Sequence, residues 1–180
     1  QSVDLVVNQD WSLARVSPGL LAQPRVDGML PMVAAGDFAT PQVPTIPDWA
    51  LHWIHSVHQL SWATGDRELV AGLLPVAEGV LRWVERRMVD GLATEVPGWV
   101  LIDWSPVQVN GTSAALNALL ARGFADLADM SDWLGDAHRS AWARSRHTEI
   151  AAAFERFWDA ARGAYRDTLA PRSAVSEHTA

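Results

Sequence analysis

Two places in the chain set a carboxylate beside an indole: Asp48-Trp49, within Ile46-Pro47-Asp48-Trp49, and Asp103-Trp104, within Leu101-Ile102-Asp103-Trp104. A carboxylate accepts hydrogen bonds from vicinal hydroxyls, and an indole stacks on the C–H face of a sugar ring. Asp48, Trp49, Asp103 and Trp104 are therefore the candidate substrate-binding residues of a carbohydrate site. Asp48 has a second reading, because an acid in the first turn of a helix favours the helix dipole. Asp103 has no apparent capping role, so the functional reading leads there. Glu95 is the only glutamate in a long loop near these four, which makes it a further candidate acid. Most of the ten tryptophans must fill core, Trp53, one turn below Trp49, among them.

Other chemistries find less support. His52, His55 and His58 follow one another at i, i+3, i+6, which invites a metal. There is no HExxH and few acids stand nearby, so neither a metal nor any other cofactor is expected. A Gly-rich phosphate loop and a GxSxG elbow are missing, and there is no cysteine. The net charge of -7 and a pI near 5.2 argue against nucleic acid or an anionic membrane as partner. No apolar run approaches the roughly 18 residues of a membrane span, and Gln1 to Asp10 carries no signal-peptide pattern, so a cytoplasmic location is slightly favoured. Asn110-Gly111-Thr112 fits a glycosylation sequon, a triplet that also arises by chance.

The elements that must hold these residues show an internal repeat. Thr64-Gly65-Asp66 returns as Leu134-Gly135-Asp136 roughly 70 residues on, and Asp27-Gly28 returns as Asp90-Gly91. Helices of two kinds lie between these marks. Ile46 to Thr64 and Thr112 to Asp129 are apolar nearly all round and should be buried. Asp66 to Val89, kinked or restarted at Pro75, and Asp136 to Arg162 are amphipathic. In the latter, Ile150, Phe154, Phe157 and Trp158 face inward. Tight Gly-Asp turns join each pair, while loops of roughly twenty residues, Pro24–Thr45 and Asp90–Gly111, separate the pairs.

Buried helices inside, amphipathic ones outside, short turns on one rim and long loops on the other describe an all-α (α/α) toroid of helical hairpins. Its working face is the long-loop rim. Residues 1–170 form part of an (α/α)6 barrel and 171–180 a polar tail. Asp10 to Gln23 reads as an outer helix without its inner partner, so the barrel is incomplete. The faces left open on helices 46–64 and 112–129 should be apolar. They call for the remaining part of the same barrel or for an oligomer. The rival reading is a non-catalytic helical-repeat module that binds carbohydrate or protein in its concave face.

In order and spacing, Asp27-Gly28-Met29-Leu30-Pro31, Ile46-Pro47-Asp48-Trp49-Ala50-Leu51-His52-Trp53-Ile54, Thr64-Gly65-Asp66 and Leu101-Ile102-Asp103-Trp104 resemble the mid-barrel of bacterial α-L-rhamnosidases. The resemblance spans roughly residues 10 to 165 and rests on the ordered series, since each motif alone is a common turn. It implies a glycoside hydrolase acting with inversion, in which one Glu protonates the leaving oxygen and a second activates water. Neither family motif for those two residues is present in this chain, and the family pattern does not require a catalytic acid at Glu95. The resemblance thus implies a part of the sugar pocket, with the catalytic acid and base outside the chain.

Overall fold

The computed structural model describes residues 11–32, 45–102, 104 and 106–176. Its helices are α1 (Ser12–Leu21), α2 (Pro47–Thr64), α3 (Arg67–Glu85), α4 (Ala114–Leu134) and α5 (Ala137–Phe154). Both hairpins are built by the same local chemistry. Gly65 and Gly135 take left-handed conformations that close α2 and α4. The aspartate that follows each glycine starts the partner helix: Asp66 accepts from Leu69 N at 3.1 Å and Asp136 from Arg139 N at 3.0 Å. Pro47 occupies the first turn of α2, where its missing N–H costs nothing. Pro75 does not break α3. It lies with Ala71 on the exposed face, where water can satisfy the carbonyl that the proline leaves unpaired.

The helix α4 packs against α2, α3 and α5, while α1 rests on α2. The core between them is built from Leu51, Ile54, Val57 and Leu60 of α2, Leu74, Val80, Leu81 and Val84 of α3, and Leu120, Phe124 and Leu127 of α4, with Ile150 of α5. Inner helices carrying an outer layer agree with the toroid expected from the repeat.

Three expectations are corrected. The outer helices end earlier than their periodicity suggests, and each runs into a two-stranded ribbon. β1 (Met88–Val89) pairs with β2 (Leu92–Ala93) across Asp90-Gly91. Both turn residues have positive φ, 51° and 81°, the two-residue hairpin turn for which Asp-Gly is a favoured pair. After α5 and a 3-10 turn at Glu155–Phe157, β3 (Trp158–Asp159) pairs with β4 (Ala164–Tyr165). Trp158, expected to face inward from a helix, is therefore a half-exposed strand residue packed edge-on to Tyr165.

The second correction concerns the open faces of the inner helices, which are mostly polar. On α2 they show His52, with His55, Ser56 and Gln59 partly covered and Trp49 and Trp62 as the large apolar groups. On α4 they show Arg122, Asp129 and Asp132, with the small Ala118 and the large apolar Trp133. The apolar stripes of both helices are already turned into the core described above. Exposed aliphatic surface sits instead on α1, at Leu13, Val16, Leu20 and Leu21. The third correction concerns the tail. Residues 171–176 fold back on the body: Ser173 is buried and accepts from Thr168 N at 2.8 Å, and Ser176 N donates to Asp167 Oδ1 at 3.0 Å. No helix among the described residues is long and apolar enough to cross a membrane.

Candidate functional site at the long-loop rim

The loop that follows β2 is fastened to the start of α2 by three backbone amides. Trp99 N donates to Thr45 O at 2.7 Å. Leu101 N and Ile102 N donate to the two carboxylate oxygens of Asp48, at 3.1 and 3.2 Å. Asp48 is 1% exposed, so its charge is buried and compensated by these donors. The sequence places Asp48 on the substrate, but here both oxygens are taken up by the backbone. It shapes the loop that carries Asp103 and Trp104. Gly98 permits the approach: at φ 113° a Cβ would stand 2.6 Å from Thr45 O, which no side chain tolerates.

Two residues of this loop hold a left-handed backbone without being glycine, Glu95 at φ 46° and Ile102 at φ 42°. For a β-branched residue that is a true outlier, at roughly 1–3 kcal/mol. It persists because the Ile102 side chain is buried and its N–H is held by Asp48. The kinked backbone leads directly into Asp103, which lies outside the described residues. Trp104 is 84% exposed and meets Trp99 edge-on, with ring centroids 6.0 Å apart. Trp49, beside Asp48 in the first turn of α2, is 50% exposed. Both candidate indoles thus have open faces at the rim, and Asp48 ties their two segments together.

The other end of the loop is held by a residue the sequence analysis passed over. Asn117 of α4 is fully buried; it accepts from Ala93 N at 2.8 Å and donates to Ala93 O at 3.0 Å. Its signal was a lone amide in an Ala- and Leu-rich helix, which must find partners when buried. Past Ala93, Glu95 N donates to Gly111 O at 3.0 Å. A cavity of about 340 Å³ lies there, with Glu95, Trp99, Asn110 and Gly111 in its lining.

The Asp27-Gly28 turn is structural. Asp27 accepts from Trp83 Nε1 at 2.9 Å, from Met29 N at 3.2 Å and from Arg25 at 2.8 Å. Arg25 is the largest influence on its carboxyl, which is held at about 2, with Trp83 and Met29 helping against the opposing effect of burial.

Of the three histidines, the structure brings two together. His55 and His58 reach Asp126 of α4, an acid that helical spacing within α2 could not reveal, through Nδ1 at 2.9 and 3.2 Å. With Asp126 they offer three ligand atoms within 4.8 Å of one another. The outer nitrogens decide their chemistry. His55 Nε2 faces Arg122 at 2.9 Å and His58 Nε2 accepts from Trp62 Nε1 at 3.0 Å. Arginine and indole can only donate, so these contacts at Nε2 leave Nδ1 of each ring to face Asp126 as donor. A metal on the Nδ1 atoms would put the His55 proton on the nitrogen that faces Arg122, while the His58 proton would face both Trp62 and, at 3.9 Å, Asp129. The trio is better suited to clamping α2 to α4 than to holding an ion.

The chain matches the family described as bacterial alpha-L-rhamnosidase 6 hairpin glycosidase domain over residues 13–176. Among solved structures it is similar to a GH78 family rhamnosidase of Bacillus sp. GL1, with TM-score 0.80 and 19% identity over 96% of this chain and 18% of that one. It is also similar to a rhamnosidase from Klebsiella oxytoca with rhamnose bound, with TM-score 0.79 and 23% identity over 98% of this chain and 34% of that one. An alpha-L-rhamnosidase of Streptomyces avermitilis complexed with L-rhamnose aligns with TM-score 0.59 and 18% identity, over 91% of this chain and 16% of that one. At these identities the likeness establishes the fold. The chain spans about a third or less of the length of these three proteins. No curated protein matches it by sequence.

Proposed function

The chain belongs to the bacterial alpha-L-rhamnosidase six-hairpin glycosidase domain family, and on that premise we propose that it forms one wall of the sugar pocket in an inverting hydrolase of terminal α-L-rhamnosides. Trp104 and Trp49 offer stacking faces, Asp103 accepts hydroxyl hydrogen bonds, and Asp48 positions the loop rather than touching the sugar. The Glu that protonates the leaving oxygen and the Glu that activates water come from outside this chain, on opposite faces of the ring as inversion requires. The observation that carries the reading is the fastening of Leu101 and Ile102 to Asp48, beside which Trp104 stands open to solvent.

The test uses the complete natural polypeptide that carries this sequence. A panel of nitrophenyl glycosides should show cleavage of the α-L-rhamnoside above the others, and NMR of the first product should show the inverted anomer. Asp103→Asn should lower turnover while the melting temperature stays put. Cleavage of a different glycoside in preference, or a retained anomer, overturns the proposal.

A further inference from the structure

The geometry points to a second sugar-binding position at this rim, centred on Glu95, that takes the hydroxylated ring next to the terminal sugar; it rests on the reading of the rim as a glycosidase pocket. Glu95 is exposed and, among the described residues, its carboxylate has neither a hydrogen bond nor an ion pair. Its own backbone is held in the left-handed region, at φ 46°, by the bond from its N–H to Gly111 O. A free chain would not choose that conformation for a glutamate, and glycine would serve it better. The strain is kept at a position that lines a cavity of about 340 Å³, a volume suited to a small ligand.

The cavity gathers the groups a hydroxylated ring needs. Glu95 accepts from hydroxyl groups, the Asn110 amide both donates and accepts, and Trp99 offers a flat apolar face. Trp99 is also the bridge to the rim, since it meets Trp104 at 6.0 Å between ring centroids. A ring stacked on Trp104 therefore lies beside Trp99, which shares its cavity with Glu95. Among the described residues the cavity lining holds no cation, so a neutral polyol suits it better than an anion.

The test measures binding of L-rhamnose and of a rhamnosyl-glucose disaccharide to the complete polypeptide, using a variant in which the general acid is replaced so that the disaccharide survives. The disaccharide should bind at least tenfold more tightly than rhamnose. Glu95→Gln should abolish that advantage while rhamnose affinity stays unchanged. Glu95→Gly removes the carboxylate and relieves the backbone, so it should lose the advantage without any fall in melting temperature. That separates ligand contact from a role in folding. If rhamnose binds but the disaccharide binds no better, or if Glu95→Gln keeps the advantage, the second position is refuted and the main pocket stands. If neither sugar binds, both readings fall together.

Discussion

The two rims of the molecule are built on opposite terms. On the short-turn rim the chain reverses at Gly65 and Gly135, both left-handed, each followed by an aspartate that caps the next helix. Residue type and backbone agree there, and nothing is strained. On the long-loop rim Asp90 is still absorbed by an Asp-Gly hairpin turn, but Glu95 and Ile102 hold left-handed conformations that suit neither. Asp48 from α2 holds the Ile102 N–H and Gly111 O holds that of Glu95, while Asn117 from α4 grips the loop at Ala93. One rim minimises local energy, and the other gives up some of it to fix where particular side chains stand.

That contrast can be broken by substitution. The largest stability effect is expected away from the loop, at Trp83, which is buried on α3 and donates to Asp27. Trp83→Ala should cost about 3–5 kcal/mol in denaturant unfolding, with ligand affinity kept in the fraction that remains folded. Should Trp83→Ala prove nearly silent, the Asp27 turn is not a fastening point.

Asp48 should rank next. Asp48→Ala leaves two amides of the loop unpaired at a buried position, at about 1–3 kcal/mol. Asp48→Asn keeps the shape but presents an N–H to one of those amides, so it should recover only part of the loss. In the complete polypeptide both variants should lower activity further than their stability loss explains. Full activity in Asp48→Ala would show that the loop needs no fastening.

Trp104 should show the reverse of Trp83. Its open face contributes little to folding, so Trp104→Ala should shift stability by less than about 0.5 kcal/mol. It should weaken sugar binding by about 1–3 kcal/mol, the range seen for removal of a stacking aromatic. A variant that unfolds with affinity intact would place Trp104 in the core instead.

The smallest effect concerns pH. The Asp27 carboxyl lies at about 2, below its ordinary 3.8, so folding favours the charged form. The resulting stabilisation is complete above the unfolded value and drains away as pH falls toward 2. Because the side chain is 46% exposed, solvent screens much of it. The melting temperature should decline modestly from pH 4 to pH 2, and Asp27→Asn should flatten that decline. An unchanged slope in Asp27→Asn would assign the acid sensitivity to other carboxylates.

Much of the architecture was legible from local rules. Gly-Asp marks the hairpin turns, Pro47 marks a helix start, and apolar periodicity separates inner from outer helices, because caps, turn types and burial stripes depend on neighbours a few residues away. The ordered Asp-Gly, Asp-Trp and Gly-Asp series carried the likeness to rhamnosidase barrels for the same reason. Helix ends were misjudged at Glu85 and Phe154, where the period runs on into ribbon residues that alternate too briefly to register. The role of Asp48 was hidden, since its partners lie some fifty residues away along the chain. So was Asp126, whose approach to His55 and His58 depends on α4 packing beside α2. Residue types and short spacings determined which groups were present and which helices would form. Only the packing decided which carboxylate was turned inward to hold a loop and which indoles were left open, because burial and hydrogen-bond partners over such distances are properties of the assembled layers.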